Sequence, residues 1–231
     1  MKTILTKTAK TLLLPVIVYG IFLVVCFERF SNLNCMYTIF LQSIIPTITA
    51  YAVAFGNICG IFDFTVGSRL IISGLIGGIA SAQFGMAGLI LGTLVTSLVI
   101  AAVTGFLNWV CKVPSLVLTM ALTMIYEIVG KNIAGRFSFG SIDYQYATLG
   151  AAPYIIFVLI LAAAVFYFIF NYTKFSYHMR AVGSNEAVAR NSGIKTDWVK
   201  CLSFIIGGIF IAISAVLTIS QSGSMGAQVN L

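Results

Sequence analysis

Seven apolar segments, most of them long enough to cross a lipid bilayer, dominate this sequence of 231 residues. A spanning helix needs about 20 mostly apolar residues, because the hydrocarbon core is about 30 Å thick. Charged residues make up only 8% of the chain and the mean hydropathy is +1.05, which excludes an ordinary soluble domain. We therefore predict an all-α, polytopic bundle of transmembrane helices. The segments lie at about 11–27, 38–57, 69–84, 86–106, 114–130, 153–172 and 201–220.

One stretch between the second and third segments does not fit a regular spanning helix. Residues 56–68, GNICGIFDFTVGS, contain too many glycines for a stable helix but are too apolar for a solvated loop. Irregular backbone at membrane depth is tolerated only where protein or a water-filled cavity satisfies its polar groups. The sequence therefore predicts a broken or re-entrant stretch within the bundle.

The basic residues indicate how the segments are oriented. If the N-terminus is cytoplasmic and each segment crosses once, ten Lys and Arg residues fall on the cytoplasmic side and three fall outside. Such an excess is the positive-inside pattern of membrane proteins. It also explains the net charge of +7 without a nucleic-acid partner. The cytoplasmic ten are Lys2, Lys7, Lys10, Arg69, Lys112, Lys174, Arg180, Arg190, Lys195 and Lys200, and the outer three are Arg29, Lys131 and Arg136.

Residues 179–200 form the one long polar passage of the chain, MRAVGSNEAVARNSGIKTDWVK. We predict two short helices there. Ser184 suits the N-cap of the first, Glu186 suits its first turn, and Gly193 suits the C′ position. Thr196 suits the cap of the second, which would continue into the last apolar segment. Because a helix of about two turns is marginal alone in water, we expect a partner protein to hold it.

Asp63 is the acid of the broken stretch, and two interpretations of it are open. A carboxylate at membrane depth costs about 2.5–3.5 kcal/mol, so it is a candidate for function. Asp63, together with Thr65 and Ser68, can cap a helix that begins near residues 66–70. Alternatively, Asp63 can couple transport to an ion or a proton.

No pattern typical of an enzyme or a metal site is present in the sequence. The chain lacks GxSxG, HExxH and GxxxxGK[ST], so ATP could be used only through another subunit. His178 is the only histidine, and the five cysteines have no metal-binding spacing. We predict no catalytic residue, no metal and no cofactor.

Small residues recur at four-residue spacing in two of the apolar segments. Gly74, Gly78 and Ala82 form one series, and Gly88 and Gly92 form another. Such spacing lets two helix backbones approach closely in lipid. We therefore predict close helix packing at these faces.

Three stretches together resemble the membrane permeases of bacterial ABC importers, in the subfamily that moves ribose and other monosaccharides. Residues 60–68, GIFDFTVGS, are similar to its G-(I)-D-L-S-V-G-S signature. Residues 105–119, GFLNWVCKVPSLVLT, are similar to its G-x-x-N-G … P-x-F-I-V-T-L stretch. Residues 181–193, AVGSNEAVARNSG, with Ile194, resemble its cytoplasmic A-x-G-x-N-x-x-A-A-R-x-S-G-I loop. The resemblance covers nearly the whole chain from about residue 40.

The resemblance implies roles for two sets of residues. In that family the cytoplasmic loop is a coupling segment that docks on the ATPase subunit, and the broken stretch lies near the translocation path. The ATPase-coupling residues would be Gly183, Ser184, Asn185, Glu186, Ala189, Arg190, Ser192 and Gly193. The residues near the path would be Asp63, Thr65, Gly67, Ser68, Asn108, Pro114 and Thr119.

Location and partners are also implied by the resemblance. We expect residues 1–231 to form a single transmembrane permease domain in the lipid bilayer of the bacterial inner membrane, with residues 174–200 as its cytoplasmic coupling loop. The expected partners are cytoplasmic ABC ATPase subunits, a second permease subunit and an external solute-binding protein. The expected solute is small and polar, with a monosaccharide as the first choice.

Two alternatives to an active importer subunit stay open. One is an ion- or proton-coupled carrier or channel that uses Asp63. The other is an inactive truncated permease, because members of the resembled family continue past the position of Leu231 for several more helices. We therefore expect a chain that is incomplete at its C-terminus.

Overall fold

The computed structural model describes residues 2–30, 32–137, 140–142 and 144–225, and nearly all of them are helical. The all-α prediction is confirmed, since the two strands of the described part have only two residues each. The elements, in chain order, are α1 (Lys2–Val25), α2 (Phe27–Phe30), α3 (Leu33–Ile58), α4 (Val66–Cys111), α5 (Ser115–Phe137), β1 (Gly140–Ser141), a 3-10 helix (Tyr144–Gly150), α6 (Tyr154–Tyr172), α7 (Lys174–Ser184), α8 (Glu186–Asn191), α9 (Thr196–Ser222) and β2 (Ser224–Met225).

The helices account for all seven predicted apolar segments. Among the described residues, five helices are long and apolar enough to cross a membrane, and Leu13–Val25 is a shorter apolar helix. One of the five, α4, contains two predicted segments, because its backbone leaves the helical conformation at Gly85 (φ 61°, ψ −144°). The chain reverses at this glycine, which separates a first limb (residues 66–84) from a second limb (residues 86–111). A positive φ of this kind is readily adopted by glycine.

The two limbs of α4 pack closely through small residues. A Cβ atom on Gly88 would overlap the carbonyl oxygen of Ala80, and one on Gly92 would lie 3.2 Å from the Cα of Gly77. The predicted packing at Gly88 and Gly92 is therefore present. The first limb contributes Gly77 and Ala80 to this contact, whereas the predicted series ends at Ala82, which is exposed.

The chain divides into two compact units, Met1–Ser43 and Ile44–Leu231, which are described separately. In the first unit, α2 packs on α1. The Phe30 ring stacks on Phe22 with 5.4 Å between centroids, and the Phe30 carbonyl accepts a hydrogen bond of 3.1 Å from the Tyr19 hydroxyl.

The core of the second unit is centred on α9. The Ser97 hydroxyl in the second limb of α4 donates to the Gly208 carbonyl at 2.7 Å. On another side, a Cβ on Gly207 would lie 3.0 Å from the carbonyl oxygen of Ala52 in α3. Large apolar side chains such as Phe210 fill the space between these close contacts. By contrast, α6 exposes most of its apolar side chains, as expected of a helix that faces lipid.

If the chain crosses the membrane in alternating directions, its connecting segments should lie at two opposite ends of the second unit, and this is observed. At one end, residues of the break after α3, the α4–α5 connection and the α8–α9 region line a common pocket. We call this the polar end and define it as residues 59–65, 108–116 and 185–200. At the opposite end, β1 pairs antiparallel with β2, with Gly140 opposite Met225. The loop predicted to be cytoplasmic therefore shares its end with the broken stretch.

Replacing Gly88 tests the packing of the two limbs. Gly88→Ala is expected to lower the free energy of unfolding by about 1–3 kcal/mol, because the added methyl overlaps backbone that cannot rotate away. Gly135→Ala is the matched control, since a Cβ there meets no atom within 4 Å. Its stability should stay the same or rise by up to about 1 kcal/mol from helix propensity. Thermal unfolding in detergent measures both, and equal stabilities would contradict the packing.

Candidate functional site

The predicted coupling segment begins with a sharp corner between α7 and α8. Asn185 lies at this corner, and its side-chain oxygen accepts a hydrogen bond of 3.1 Å from the backbone N–H of Val188. Asn185 is therefore the N-cap of α8, and the prediction that Ser184 caps it was wrong. Ser184 is still helical as the last residue of α7, where its hydroxyl donates to the carbonyl of Ala181.

The end of α8 has the predicted glycine geometry. Gly193 has a φ of +85°, its N–H donates to the Arg190 carbonyl at 3.0 Å, and the N–H of Ile194 donates to the Ala189 carbonyl at 3.1 Å. This pair of bonds is the Schellman motif that commonly closes helices. Glu186 occupies the first turn of α8, also as predicted.

The second predicted cap is absent. Thr196 is the first residue of α9, and the residue before it forms no side-chain cap bond. The Thr196 hydroxyl instead accepts a hydrogen bond of 3.1 Å from Arg190. The prediction of a cap at Thr196 was wrong because this hydroxyl joins α9 to α8. The prediction that the second helix continues into the last apolar segment is confirmed.

Charged side chains hold α8 against the start of α9. The Glu186 carboxylate lies 2.8 Å from the Lys200 ammonium and 3.3 Å from the Arg190 guanidinium. Arg190 also lies 3.7 Å from the Asp197 carboxylate. The hydrogen bond from Lys200, more than any other contact, holds the pKa of the Glu186 carboxyl below its ordinary value. We call these four residues the α8–α9 charge cluster.

The two faces of α8 differ. Ala189 is 3% exposed and packs inward, whereas Val188 is 59% exposed and points away from the bundle. Most of the other predicted coupling residues are also exposed, among them Ser184, Asn185, Arg190, Ser192 and Gly193. The outer face of α8 is therefore available for a partner, while Ala189 anchors the helix.

Gly183 brings α7 against the end of α3. A Cβ on Gly183 would overlap the backbone carbonyl oxygen of Ile58, the last residue of α3. No residue larger than glycine fits without displacing one of the two helices. The coupling segment therefore touches the element that leads into the broken stretch.

The broken stretch itself starts with a glycine turn. The N–H of Gly60 donates to the Asn57 carbonyl and that of Ile61 donates to the Gly56 carbonyl, and Gly60 has a φ of +75°. This is again a Schellman closure. Residues 59–65 are not helical, and α4 begins at Val66, within the predicted range. The predicted break is confirmed, but it is confined to residues 59–65 of the predicted 56–68, because α3 continues to Ile58 and α4 begins at Val66.

Asp63 organises the turn that leads into α4. One carboxylate oxygen accepts hydrogen bonds from the N–H of Thr65 at 2.9 Å and from its hydroxyl at 2.6 Å. Thr65 occupies the N-cap position without a side-chain cap bond, and the Ser68 hydroxyl donates to the Thr65 carbonyl. Asp63 therefore acts two residues before the N-cap. The contacts agree with the structural interpretation of this acid, although it does not cap in the expected way.

Arg69 balances the charge of Asp63 inside the bundle. Its guanidinium lies 3.0 Å from the second carboxylate oxygen of Asp63, and the side chain is 1% exposed. It also donates to the carbonyl of Phe204 in α9 at 3.3 Å. Sequence reasoning counted Arg69 among the cations of the cytoplasmic side and did not predict that its side chain is buried and pairs with Asp63. The sequence did contain a signal for this pair, namely a basic residue six positions after Asp63 at the start of an apolar helix.

The remaining predicted path residues lie in three different environments. Thr119 is buried, and its hydroxyl donates to the carbonyl of Phe62, which ties α5 to the broken stretch. Gly67 is exposed on α4. Asn108 and Pro114 line a cavity of about 670 Å³ at the polar end. Thr65 and Ser68 are buried among hydrogen-bond partners and are absent from that lining.

The cavity at the polar end brings both predicted sets together. Asn108 and Pro114 share it with Glu186 and Arg190 of α8. The Asn108 side-chain nitrogen is buried and has no hydrogen-bond partner within the described ranges. The coupling segment and part of the predicted path therefore face one common cavity.

Comparison with known proteins finds relatives along most of the chain. Residues 35–230 match the family described as "Branched-chain amino acid transport system / permease component". The D-allose transport system permease protein of Escherichia coli (strain K12) is 24% identical over 206 residues, which cover 85% of this chain and 63% of that protein. The ribose import permease protein of Haemophilus influenzae is 26% identical over 208 residues, which cover 84% of this chain and 64% of that protein.

A third relative matches over a shorter range. The L-arabinose transport system permease protein of Escherichia coli (strain K12) is 27% identical over 127 residues, 53% of this chain and 39% of that protein. No solved structure matches the chain. The chain thus spans less than two thirds of the length of the curated relatives it matches.

Breaking the buried pair tests the role assigned to Asp63 and Arg69. Arg69→Met leaves a buried carboxylate unpaired and is expected to lower the free energy of unfolding by about 3–5 kcal/mol. The double variant Asp63→Asn, Arg69→Met should be less destabilised than the sum of its single variants, because no uncompensated charge remains. Denaturation of all four proteins in detergent forms a double-mutant cycle. Additive effects would show that the pair contributes no coupling energy.

The lowered pKa of Glu186 predicts a pH dependence for α8. A carboxyl group with a lowered folded-state pKa contributes stability above its ordinary pKa and loses that contribution as the pH falls through the lowered value. Amide hydrogen exchange at residues 186–194, corrected for intrinsic rates, should therefore be slow at pH 7 and accelerate below about pH 4. Glu186→Gln should exchange faster at pH 7 and lose most of the acid response.

Asp197→Asn is the matched control for this experiment. Asp197 is the other carboxylate of the α8–α9 charge cluster, and it contacts Arg190 at the longer distance of 3.7 Å. This variant should keep the acid response of α8. If it abolished the response while Glu186→Gln did not, the assignment to Glu186 would be wrong.

Proposed function

The chain belongs to the family of permease components of the branched-chain amino acid transport system type, and on that premise we propose that it is the permease subunit of an ATP-driven ABC importer. It is a multi-pass protein of the bacterial inner membrane, with several helices long and apolar enough to span the bilayer. The family match over residues 35–230 is the single observation that carries the proposal.

The proposed solute is a small polar molecule, with a monosaccharide as the first choice. The relatives named above are described as permeases for D-allose, ribose and L-arabinose. An external binding protein would deliver the solute, and a second permease subunit would complete the path. The cavity that Asn108 and Pro114 line at the polar end supports an aqueous route on the proposed cytoplasmic side.

In this proposal, ATP hydrolysis occurs on separate cytoplasmic subunits that dock on α8. The outer face of α8 carries the exposed Val188, while Ala189 and the α8–α9 charge cluster hold the helix to the bundle. A docked subunit could therefore move α9 through Lys200 and the end of α3 through Gly183.

An ion- or proton-coupled carrier that uses Asp63 is the rival function. Both carboxylate oxygens of Asp63 are engaged, one by Thr65 and the other by Arg69. A coupling acid must change partners during each cycle, which would leave the buried Arg69 guanidinium without its counter-charge. The contacts therefore favour the importer.

A substitution on the outer face of α8 tests the proposed docking. Val188→Asp should weaken binding to the cognate ATPase, recognised by a GxxxxGK[ST] motif in a neighbouring gene product, by more than about tenfold. Membrane insertion should be unchanged, because Val188 is 59% exposed. Lys195→Asp is the control, since Lys195 is exposed nearby but lies outside α8. Pull-down with the purified ATPase measures binding.

Solute uptake by the complete transporter separates the two functions. The importer predicts that uptake fails in Val188→Asp. The carrier predicts that uptake survives Val188→Asp and collapses in Asp63→Asn. Uptake that is independent of both ATP and the ATPase subunit would reject the importer.

A further inference from the structure

The corner between α6 and α7 carries cations that the bundle does not neutralise. Among the described residues, Arg69, Arg190 and Lys200 all pair with carboxylates. Lys174 and Arg180 are exposed and form no ion pair there. The sequence contains no Asp or Glu from residue 144 to residue 185. Neither positive charge therefore has a carboxylate partner among the described residues, and both are accessible to an anion from outside the chain.

Arg180 is held in one orientation at this corner. Its guanidinium carbon lies 4.3 Å above the centre of the Phe170 ring, and one of its nitrogens donates to the Phe170 carbonyl at 2.9 Å. Phe170 lies in the last turn of α6, two residues before the helix ends. A guanidinium that is already oriented loses little side-chain entropy when it binds an anion, and its other N–H groups are available to donate.

The fold of α7 places Lys174 on the same side. Ser176, Met179 and Val182 are buried and attach one face of the helix to the bundle. Lys174, Tyr177 and Arg180 follow one another at three-residue spacing and are exposed, so they form a stripe along the opposite face. Lys174 begins the helix, directly after the end of α6.

The exposed aromatic and apolar side chains at the corner are typical of a boundary between membrane and water. Phe168, Tyr172 and Tyr177 are all more than half exposed. Tyr and Trp are enriched where the hydrocarbon core meets the headgroups. α6, which leads into the corner, is an apolar helix with few buried residues. Acyl chains and headgroups are therefore the natural neighbours of these side chains.

From these observations we propose that Arg180 and Lys174 bind the phosphate of an anionic phospholipid headgroup, while Tyr172 and Tyr177 contact its glycerol and upper acyl region. The ligand source is the lipid of the proposed cytoplasmic leaflet. The proposal needs only that the chain lies in a membrane, and it holds whatever solute the protein carries.

Lipid titration of the purified full chain tests the proposal. In detergent, native mass spectrometry should detect phosphatidylglycerol bound more tightly than phosphatidylcholine. Each basic residue near a membrane surface contributes about fivefold in affinity for anionic lipid, so Lys174→Gln, Arg180→Gln should weaken phosphatidylglycerol binding by about 25-fold. Phosphatidylcholine binding should not change.

A matched charge control separates a site from bulk attraction. Lys112→Gln, Lys195→Gln removes the same two charges from two exposed lysines at the polar end, away from the corner. This variant should retain phosphatidylglycerol affinity within about twofold of the parent chain. An equal loss in both double variants would overturn the proposal, as would equal affinity of the parent chain for the two lipids.

Two further measurements complete the test. Arg180→Lys keeps the charge but cannot stack on Phe170 and bind bidentately, so its affinity should fall severalfold, and an unchanged affinity would overturn the assigned geometry. If circular dichroism shows that the double variant does not fold, the Arg180→Lys variant alone tests the proposal. Inorganic phosphate should not displace the lipid at equal concentration. Displacement by phosphate would assign the corner to soluble anions instead.

Discussion

The buried contact between Arg69 and Asp63 is the constraint on which the irregular part of this bundle depends. Residues 59–65 leave the helical conformation, so their polar groups need partners other than the next helical turn. Asp63 binds the backbone of Thr65, Arg69 neutralises Asp63, and the same guanidinium reaches the Phe204 carbonyl in α9. Removing either Asp63 or Arg69 would leave the other charge buried without a partner. The broken stretch and the central helix are thus connected by one side chain.

A second set of ionic contacts also connects two elements, at the polar end, but these side chains are partly exposed to solvent. The α8–α9 charge cluster is partly exposed, so each pair contributes little on its own. The cluster instead fixes the position of α8, because three ion-pair contacts involve this helix, which is too short to be stable alone. Buried Ala189 and the glycine at residue 183 add packing contacts that salt does not screen. These contacts hold α8 against the bundle, as the proposed docking requires.

Close backbone packing explains why the bundle depends on small residues. Gly88 against Ala80, Gly207 against Ala52 and Ser97 on Gly208 bring α3, α4 and α9 to distances that larger side chains would prevent. Lipid tails are as apolar as leucine, so helices in a membrane associate through such van der Waals contact and hydrogen bonds. The four-residue spacing correctly indicated Gly88 and Gly92. It could not show that Gly77, rather than the series ending at Ala82, provides the opposite face.

The sequence by itself determined the features that depend on local composition. Apolar length specified the seven helical segments, glycine and acid content located the break before Val66, and Gly193 marked the end of α8. The tertiary structure decided which groups meet. The cap fell on Asn185 because α7 continues through Ser184. Thr196 accepts a hydrogen bond from Arg190 instead of capping α9, and Arg69 is buried in the bundle, where it pairs with Asp63. Periodicity and capping preferences act within a few residues, whereas Arg69 meets Phe204 across 135 positions of the chain. Contacts of that kind follow from how the helices pack.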